Sequence, residues 1–378
     1  MTECGSNCKE ETKFMIDFNT LENFMKDVFK GVGVPEEDAA ICADVLITSD
    51  KRGIDSHGIG RLKSIYYDRI KNGIQQPVTH FEVVREGPTT AVVDGHHGMG
   101  QVIAYRSMQK AIEKASKYGM GMVAVRNSTH YGIAGYYSMM AADAGMISIN
   151  GSNARPSIAP TFGVENMLGT NPLTFGIPSD DPFPFVLDCA TSVSQRGKIE
   201  VYARAGKDIP AGWVIGEDGN TRTDTLQILQ DLVAGKAALA PLGGLGEDTG
   251  GYKGYGYATV VEILCSALQG GAFLKGLLGW EDGKRVPYKL GHFFMAVDVS
   301  AFTDLDSFKK TTGDILRALR ASKNAPGCDR IYTAGEKEYL AWLERKERGV
   351  EINEALRNNI NVMREEVGLT GYAFPWDD

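Results

Sequence analysis

The stretch "RNSTHYGIAGYY" (residues 126–137) contains a histidine, and both this residue type and its position suit acid–base chemistry. The apolar run "GMVAV", typical of a strand, ends just before it, and a segment with helical spacing follows. Open sheets place ligands and catalytic groups at such strand ends, and the unperturbed pKa of imidazole suits proton transfer near neutrality. We therefore predict that His130 exchanges a proton with a substrate. A turn histidine bonded to a neighbouring carbonyl is the open alternative.

The stretch "DSHGIGRL" (residues 55–62) carries a second histidine together with an arginine. If a helix begins near Ser56, then His57 and Arg61 are four residues apart and share one face. A guanidinium forks two donors onto a carboxylate, and the free amides of a first helical turn also favour an anion. This predicts a site for a small acid. The alternative is a capped helix start, with Arg61 in a surface ion pair.

The stretch "GGYKGYGYATVVEIL" (residues 250–264) places glycines around a lysine at the start of an apolar helical pattern. Backbone amides and the ammonium of Lys253 would there meet a phosphate. The run matches no strict phosphate signature, so a plain helix-entry loop remains the alternative.

A glycine-rich stretch, "VVDGHHGMGQVI", resembles a strand, turn and helix of a dinucleotide-binding unit. Ile103 occupies the position where the G-x-G-x-x-G fingerprint needs glycine or alanine for close helix packing, which excludes a standard Rossmann site. The remaining histidines are weaker candidates, because they flank turns or strand ends without an accompanying arginine or hydroxyl cluster: His80, His96, His97 and His292.

The amino-acid composition limits which binding partners and which cellular compartment we expect for this protein. The net charge is -8, and no block of Lys and Arg stands out, which disfavours nucleic acid. No apolar run has the roughly 18 residues of a membrane span, so we expect a cytoplasmic protein without membrane contact. Of the six cysteines only Cys4 and Cys8 are close together, and no second ligand pair follows them. We therefore expect reduced thiols, no metal site and a flexible tail over residues 1–18.

Periodicity divides the chain into a helical part and an α/β part. Apolar residues recur at helical spacing from residue 19 to about 78, and again in the charged segments from about 304 to 378. Between residues 79 and 303, strand-like and helical runs alternate. The expected fold class is α/β: a mixed sheet covered by helices in the middle of the chain, plus a helical domain built from both terminal segments.

Six stretches together resemble the type-2 malate/L-lactate dehydrogenase family, which includes ureidoglycolate and sulfolactate dehydrogenases. They occur in the family's order and with similar spacing, over roughly residues 18 to 350. The stretches are "DSHGIGRL", "RNSTHYGIAGYY", "GTNPLTFGIP", "LDCATSVSQRGKIEVYARAGKDIPAGW", "GGYKGYGYATVVEIL" and "APGCDRIYTAGEKE".

The resemblance implies an oxidoreductase that uses NAD, or NADP, in a fold distinct from the Rossmann type. It implies that His130 is the proton donor and acceptor and that Arg61 clamps the substrate carboxylate. The other substrate contacts that it implies are Ser56, His57, Thr170 and Asn171. The cofactor contacts that it implies are Asp188, Cys189, Ala190, Lys253, Gly254, Gly335, Glu336 and Lys337.

The resemblance leaves the substrate open. Malate with oxaloacetate, or lactate with pyruvate, is the first expectation, and sulfopyruvate, ureidoglycolate or a cyclic imino acid is the alternative. A non-catalytic anion-binding protein is an alternative from another class. Cys189 departs from the methionine expected in many relatives, which leaves the cofactor preference open. The resemblance also implies a homodimer.

Overall fold

The structure, a computed structural model, describes residues 13–377. Cys4, Cys8 and the expected tail as far as residue 12 lie outside this range. The strands are β1 (Phe14–Ile16), β2 (Glu82–Glu86), β3 (Thr90–Asp94), β4 (Met120–Ser128), β5 (Met146–Ser152), β6 (Leu173–Ile177), β7 (Phe185–Cys189), β8 (Val214–Gly216), β9 (Thr221–Arg222), β10 (Ala237–Leu239), β11 (Trp280–Glu281), β12 (Lys284–Arg285), β13 (Leu290–Asp298) and β14 (Val350–Ile352).

Helices alternate with these strands through much of the chain. They are α1 (Phe18–Gly31), α2 (Glu36–Lys51), α3 (Ile59–Arg61), α4 (Asp68–Lys71), α5 (Gly100–Tyr118), α6 (Ala134–Asp143), α7 (Arg196–Arg204), α8 (Thr225–Ala234), α9 (Gly251–Leu264), α10 (Leu305–Arg320), α11 (Glu336–Arg348) and α12 (Glu354–Glu366). A π-helical segment, Leu62–Tyr67, joins α3 to α4. Within the described range, no helix has the length and apolar character needed to cross a bilayer.

The chain forms two compact units. The helical unit contains the described residues up to Lys71 and those from Glu338 onward, and the α/β unit is Asn72–Lys337. The expected C-terminal boundary near residue 304 therefore differs from the structure, because α10 belongs to the α/β unit. Its Arg317 and Arg320 pair with Asp180 and Asp181, which follow β6, at 2.9 and 2.6 Å. Helical periodicity in α10 gives no sign of these long-range ion pairs.

In the helical unit, α1 buries one apolar face that includes Leu21, Phe24 and Val28. The helix begins after Asp17, whose carboxylate accepts a hydrogen bond from the Thr20 amide at 2.9 Å. Strand β1 pairs with β14 in antiparallel register. The expectation of a tail to residue 18 is therefore wrong for its last residues, because pairing with a strand distant in sequence organises them.

The α/β unit is built on a seven-stranded sheet in the order β2-β3-β4-β13-β5-β6-β7. Strands β3 and β4 are parallel, and the other neighbouring pairs are antiparallel, so the sheet is mixed as predicted. The core on this sheet includes Met108 of α5, Tyr137 of α6 and Phe294 of β13, all fully buried. Whether the unit binds a dinucleotide in a non-Rossmann manner stays a prediction.

A smaller three-stranded sheet, ordered β10-β8-β9, belongs to the same unit. Its core joins Val214 and Leu239 to Ile199 of α7, Ile228 of α8 and Ala258 of α9. The sequence analysis missed α8 and this sheet, because strands of two or three residues are too short to show a period.

Candidate active site

His130 lies in the connection between β4 and α6, as predicted from the strand end, and is half-buried. The Gly132 amide donates to its Nδ1 at 3.3 Å. The preceding Thr129 hydroxyl accepts from the Gly100 amide at 3.0 Å and donates to the Gly98 carbonyl at 2.8 Å. A Cβ at position 100 would lie 2.3 Å from the His130 carbonyl oxygen. A glycine at the start of α5 thus allows the close backbone contact that fixes His130.

The carboxylate of Asp188 connects β7 to the helix that follows His130. Its Oδ2 accepts from the Gly135 amide in the first turn of α6 at 2.7 Å, and its Oδ1 accepts from the Thr174 hydroxyl at 3.2 Å. The helix dipole favours a carboxylate at this end of α6. Asp188 is nevertheless exposed on β7, so it both anchors α6 and faces solvent.

Three of the predicted contact segments adjoin one another through the backbone. The carbonyl of Thr170 accepts from the amide and hydroxyl of Thr191 at 2.9 and 3.1 Å, directly after Ala190. The Leu242 amide donates to the Thr191 carbonyl at 2.8 Å. A Cβ on Gly254 would lie 2.1 Å from the Leu242 carbonyl oxygen, so glycine is needed where α9 approaches this segment. The structure thus brings the segments of Thr170, Ala190 and Gly254 together.

Gly335 lies beside the start of β7. The Val186 amide donates to the Ala334 carbonyl at 3.4 Å, and a Cβ on Gly335 would lie 2.9 Å from the Pro184 carbonyl oxygen. Gly335 also has a φ of 89°, a backbone conformation that favours glycine. The predicted contacts at 188–190 and at 335 therefore lie along the same strand.

Glu336 is buried, and its carboxylate is engaged within its own loop. It accepts from the Thr333 amide at 3.0 Å and forms an ion pair with Arg330. These contacts give Glu336 a structural part in the start of α11. A cofactor contact of this residue stays a prediction.

The two predicted cofactor lysines are exposed. The Lys253 ammonium lies 5.7 Å from the centroid of the Tyr252 ring, and that of Lys337 lies 4.9 Å from the Tyr332 ring. Both ammonium groups reach solvent, where an anionic ligand can approach them. Cys189 is half-buried; its burial, followed by the charge of Asp188, raises the pKa of the thiol.

Asn171, predicted to lie near the reacting end of the substrate, is completely buried. Its Nδ2 donates to the Ala258 carbonyl at 3.0 Å and to Glu262 Oε2 at 2.8 Å, and its Oδ1 accepts from the Ala154 amide at 3.1 Å. Both N–H groups of the side chain are thereby used inside the protein. The structure shows a packing role, and the substrate contact of Asn171 stays a prediction.

In the helical unit, Ser56 and His57 precede the helix instead of starting it. Helix α3 begins at Ile59, so the predicted helix start near Ser56 is wrong. The residues are still close, since the Ser56 hydroxyl lies 2.8 Å from His57 Nδ1 and Arg61 Nε donates to the Ser56 carbonyl at 2.5 Å. Burial, assisted by the charge of Arg61, lowers the pKa of His57 to about 4. The ring is therefore neutral at physiological pH.

Two residues that the sequence analysis missed hold this turn in place. Buried Asp50 accepts from the Ile59 amide at 2.8 Å, and its burial raises its pKa to about 8. Arg345 of α11 donates to the Asp50 carbonyl at 2.8 Å and pairs with the Asp55 carboxylate. Asp50 and Arg345 are nearly 300 residues apart, so no local pattern signals their contact.

Arg61 has no carboxylate partner among residues 13–377. Asp55, the nearby acid in the sequence, pairs with Arg345 at 2.5 Å instead. The surface ion pair that was the alternative for Arg61 is therefore absent from the described part of the chain. A π-helical segment follows Arg61 directly, and such segments are frequent at functional sites.

A cavity of about 670 Å³ in the α/β unit is lined by none of the predicted site residues. Pro160, Tyr255 and Phe273 form parts of its largely apolar wall. It lacks the histidine and arginine that the predicted chemistry needs.

Known proteins resemble this chain over nearly its whole length. The family model described as malate/L-lactate dehydrogenase matches residues 16–361. A malate dehydrogenase of Pyrococcus horikoshii is 43% identical over 96% of this chain and 98% of its own. An L-sulfolactate dehydrogenase of Methanocaldococcus jannaschii is 38% identical over 91% of this chain and 94% of its own. The crystal structure of malate dehydrogenase from Entamoeba histolytica is 45% identical, with a TM-score of 0.92 over 97% of this chain and 100% of that chain. The chain therefore belongs to the malate/L-lactate dehydrogenase family of oxidoreductases.

Proposed function

We propose that this protein is a nicotinamide-dependent dehydrogenase that interconverts malate and oxaloacetate, with NAD as its cofactor. Similarity over nearly the full length to two proteins named malate dehydrogenase is the observation that carries the choice of substrate. The similarity to an L-sulfolactate dehydrogenase favours sulfolactate and sulfopyruvate as the second candidate pair.

His130 is the proposed acid–base group. We assign proton exchange to Nε2, which requires the proton of the neutral ring to lie on Nδ1, whereas the Gly132 contact in the structure has Nδ1 as its acceptor. In the oxidation direction, the neutral ring accepts the hydroxyl proton at Nε2 while it carries its own proton on Nδ1. In the reduction direction, the imidazolium returns a proton to the substrate oxygen. Either form with a proton on Nδ1 loses the Gly132 contact, which at 3.3 Å is weak.

Arg61 is the proposed carboxylate clamp. Its Nε is held by the Ser56 carbonyl, and the absence of a carboxylate partner within the described range supports a role in binding an external acid. His57, neutral because of its lowered pKa, is the proposed hydrogen-bond partner of a substrate oxygen, oriented by the Ser56 hydroxyl. A neutral ring avoids a second positive charge beside the guanidinium.

The residues proposed to hold the cofactor suit its chemistry. Exposed ammonium groups at Lys253 and Lys337 match an anionic pyrophosphate, and the exposed Asp188 carboxylate can accept from a ribose hydroxyl. When bound, nicotinamide supplies hydride transfer to or from the carbon of the substrate. The chain's own part is to hold the acid and to exchange the proton.

The test is a panel of 2-oxoacids assayed with NADH and with NADPH. We expect the fastest fall in reduced-nicotinamide absorbance with oxaloacetate and NADH. A faster reaction with sulfopyruvate would show that sulfolactate and sulfopyruvate are the substrate pair. A faster reaction with NADPH than with NADH would show that the cofactor is NADP. No turnover with oxaloacetate, pyruvate, sulfopyruvate or a cyclic imino acid would refute the proposal.

We also propose that the protein is a homodimer. The exposed apolar side chains of Tyr257, Val260 and Ile263 on α9 support this, because apolar surface of this kind marks interaction sites. Light scattering on the size-fractionated protein should give twice the 41.0 kDa of the chain, and a monomer mass would contradict it.

A further inference from the structure

An imidazole pair lies at one end of the β2–β3 ladder, within the α/β unit. Glu82 and Asp94 are directly opposite each other in this antiparallel pair. His80 lies two residues before Glu82 and His96 lies two residues after Asp94, so both histidines lie just beyond the same end of the ladder. The register thus gathers two imidazoles and two carboxylates at one edge of the sheet.

The side chains of this group are in contact. The rings of His80 and His96 stack with their centroids 4.5 Å apart, and His96 Nε2 lies 2.7 Å from Glu82 Oε2. One ligand atom from each of His80, Glu82 and His96 lies within 4.8 Å of the others. His80 and Glu82 are exposed and His96 is half-buried, so the group is open to an ion from solvent.

The two carboxylates differ in their availability. Asp94 accepts from Arg126 at 2.8 Å and from Asn127 at 2.9 Å, and its negative charge is balanced by the arginine. Glu82 has no lysine or arginine partner among residues 13–377, and its one ion-pair contact there is with His96. The Glu82 carboxylate is therefore not paired with a lysine or arginine in the described part of the chain, and it lies beside two imidazoles whose nitrogens can bind a metal.

We propose that His80, Glu82 and His96 form a binding site for a divalent transition-metal ion such as Zn²⁺. Imidazole nitrogens with one carboxylate are a recurrent ligand set for such ions, whereas Mg²⁺ and Ca²⁺ prefer oxygen ligands only. Three protein ligands leave a fourth position for water, which the exposed surroundings supply.

Coordination requires a small rearrangement of side chains. Ligand atoms on one tetrahedral zinc lie about 3.3 Å apart, since each zinc–nitrogen bond is about 2.0 Å long. The His80 ring must therefore rotate out of its stack so that its lone pair converges with that of His96. An exposed side chain ahead of the first residue of β2 has the freedom to do so.

A metal at this site would link β2 to the turn before α5. The same turn is bonded to the segment ahead of His130, because the Gly95 amide donates to the Arg126 carbonyl at 3.0 Å and the His97 amide to the Asn127 carbonyl at 2.8 Å. Metal binding should therefore stabilise the α/β unit. This site is independent of the proposed dehydrogenase chemistry.

Calorimetric titration of the untagged full-length chain with ZnCl₂ tests the proposal. Cys4, Cys8 and Cys328 are replaced by serine in the parent, because thiolates would bind zinc themselves. We expect one zinc per chain, at least a roughly 10-fold weaker affinity in His80→Ala, Glu82→Gln and His96→Asn, and no binding of MgCl₂. Asparagine is chosen at position 96 because the φ of 45° there is left-handed.

The matched control is His97→Asn. His97 lies in the same turn with a φ of 60°, but its Nδ1 contacts the Tyr288 carbonyl at 2.9 Å, outside the group. Its replacement should leave zinc affinity unchanged, and zinc should raise the unfolding temperature of the parent and of this control but not of His80→Ala. Equal zinc affinity in the parent and His80→Ala, or no binding below about 1 mM, would overturn the proposal.

Discussion

The Asp188 carboxylate lies 2.7 Å from the Gly135 amide, so a residue predicted to contact the cofactor also anchors the helix that follows His130. Removing the acceptor leaves an amide of the first turn of α6 without its partner. We expect Asp188→Ala to lower the free energy of unfolding by about 1 kcal/mol. Asp188→Asn, which keeps an oxygen acceptor, should lower it less. Denaturant unfolding measures both.

The same pair of variants separates anchoring from ligand contact. If Asp188 also contacts the cofactor, Asp188→Asn should weaken NADH binding in a fluorescence titration although the protein remains stable. Asp208→Ala, at an exposed position, is the control for both measurements. If Asp188→Ala and the parent unfold at the same midpoint denaturant concentration, the anchoring role of Asp188 is refuted.

Replacement of His130 by alanine tests the acid–base assignment. Loss of a positioned proton-transfer group typically lowers turnover by about 10²- to 10⁴-fold, so kcat should fall by that order. NADH affinity should stay unchanged, because no cofactor contact is assigned to the ring. Lys117→Ala, which removes an exposed side chain from the same unit, is the control. A variant with undiminished kcat would refute the role of His130.

Arg61→Lys tests the carboxylate clamp. A lysine keeps the charge but cannot present two parallel donors, and the loss of one charged hydrogen bond corresponds to about a 10- to 100-fold rise in KM for the 2-oxoacid. Steady-state kinetics with varied oxaloacetate measures it. Arg348→Lys is the matched control, since Arg348 pairs with Glu344 on an exposed surface. Equal KM values in the parent and in Arg61→Lys would refute the proposed role of Arg61 in binding the substrate carboxylate.

The buried contact between Asn171 and Glu262 should show up as energetic coupling. Asn171→Asp places two carboxylates together and should destabilise the protein, whereas the double variant Asn171→Asp with Glu262→Gln restores a donor to the pair. We expect a coupling free energy of about 1–3 kcal/mol in a double-mutant cycle of denaturant unfolding. Additive effects would mean that the 2.8 Å contact contributes nothing to stability.

Asp50 should make stability depend on pH. Burial raises its pKa from the ordinary 3.8 to about 8, so the folded state holds the proton over an interval in which the unfolded state has lost it. Stability therefore falls as pH rises toward 8, by about 1.4 kcal/mol per pH unit at most. Asp50→Asn keeps an acceptor for the Ile59 amide and cannot ionise.

The free energies of unfolding of the parent and of Asp50→Asn are compared between about pH 7 and pH 8. This range lies above the interval in which the buried histidines His57 and His292, with pKa values of about 4 and 3, change stability. The parent should lose stability across this step more steeply than Asp50→Asn. Parallel behaviour of the two proteins would show that Asp50 is already ionised in the folded state.

Local patterns in the sequence predicted much of the α/β unit. The strand before His130 and the helix after it follow from hydrophobic spacing, because that spacing reports which faces of an element are buried. The neighbours in the sheet do not follow. Strand β13 lies between β4 and β5, although some 140 residues separate it from β5, and only the packing of buried faces selects that partner.

The site shows the same division. Residue type and spacing by themselves singled out His130, Arg61 and Lys253, and the family motifs added Asp188 and Gly335. Only the tertiary structure decided that Asp188 anchors α6, that Asn171 is buried against Glu262, and that Asp50 and Arg345 hold the turn at Ser56. The physical reason is that the chemistry of a side chain follows from its residue type alone. Its position depends on contacts with residues distant in sequence, and these contacts form only when the chain folds.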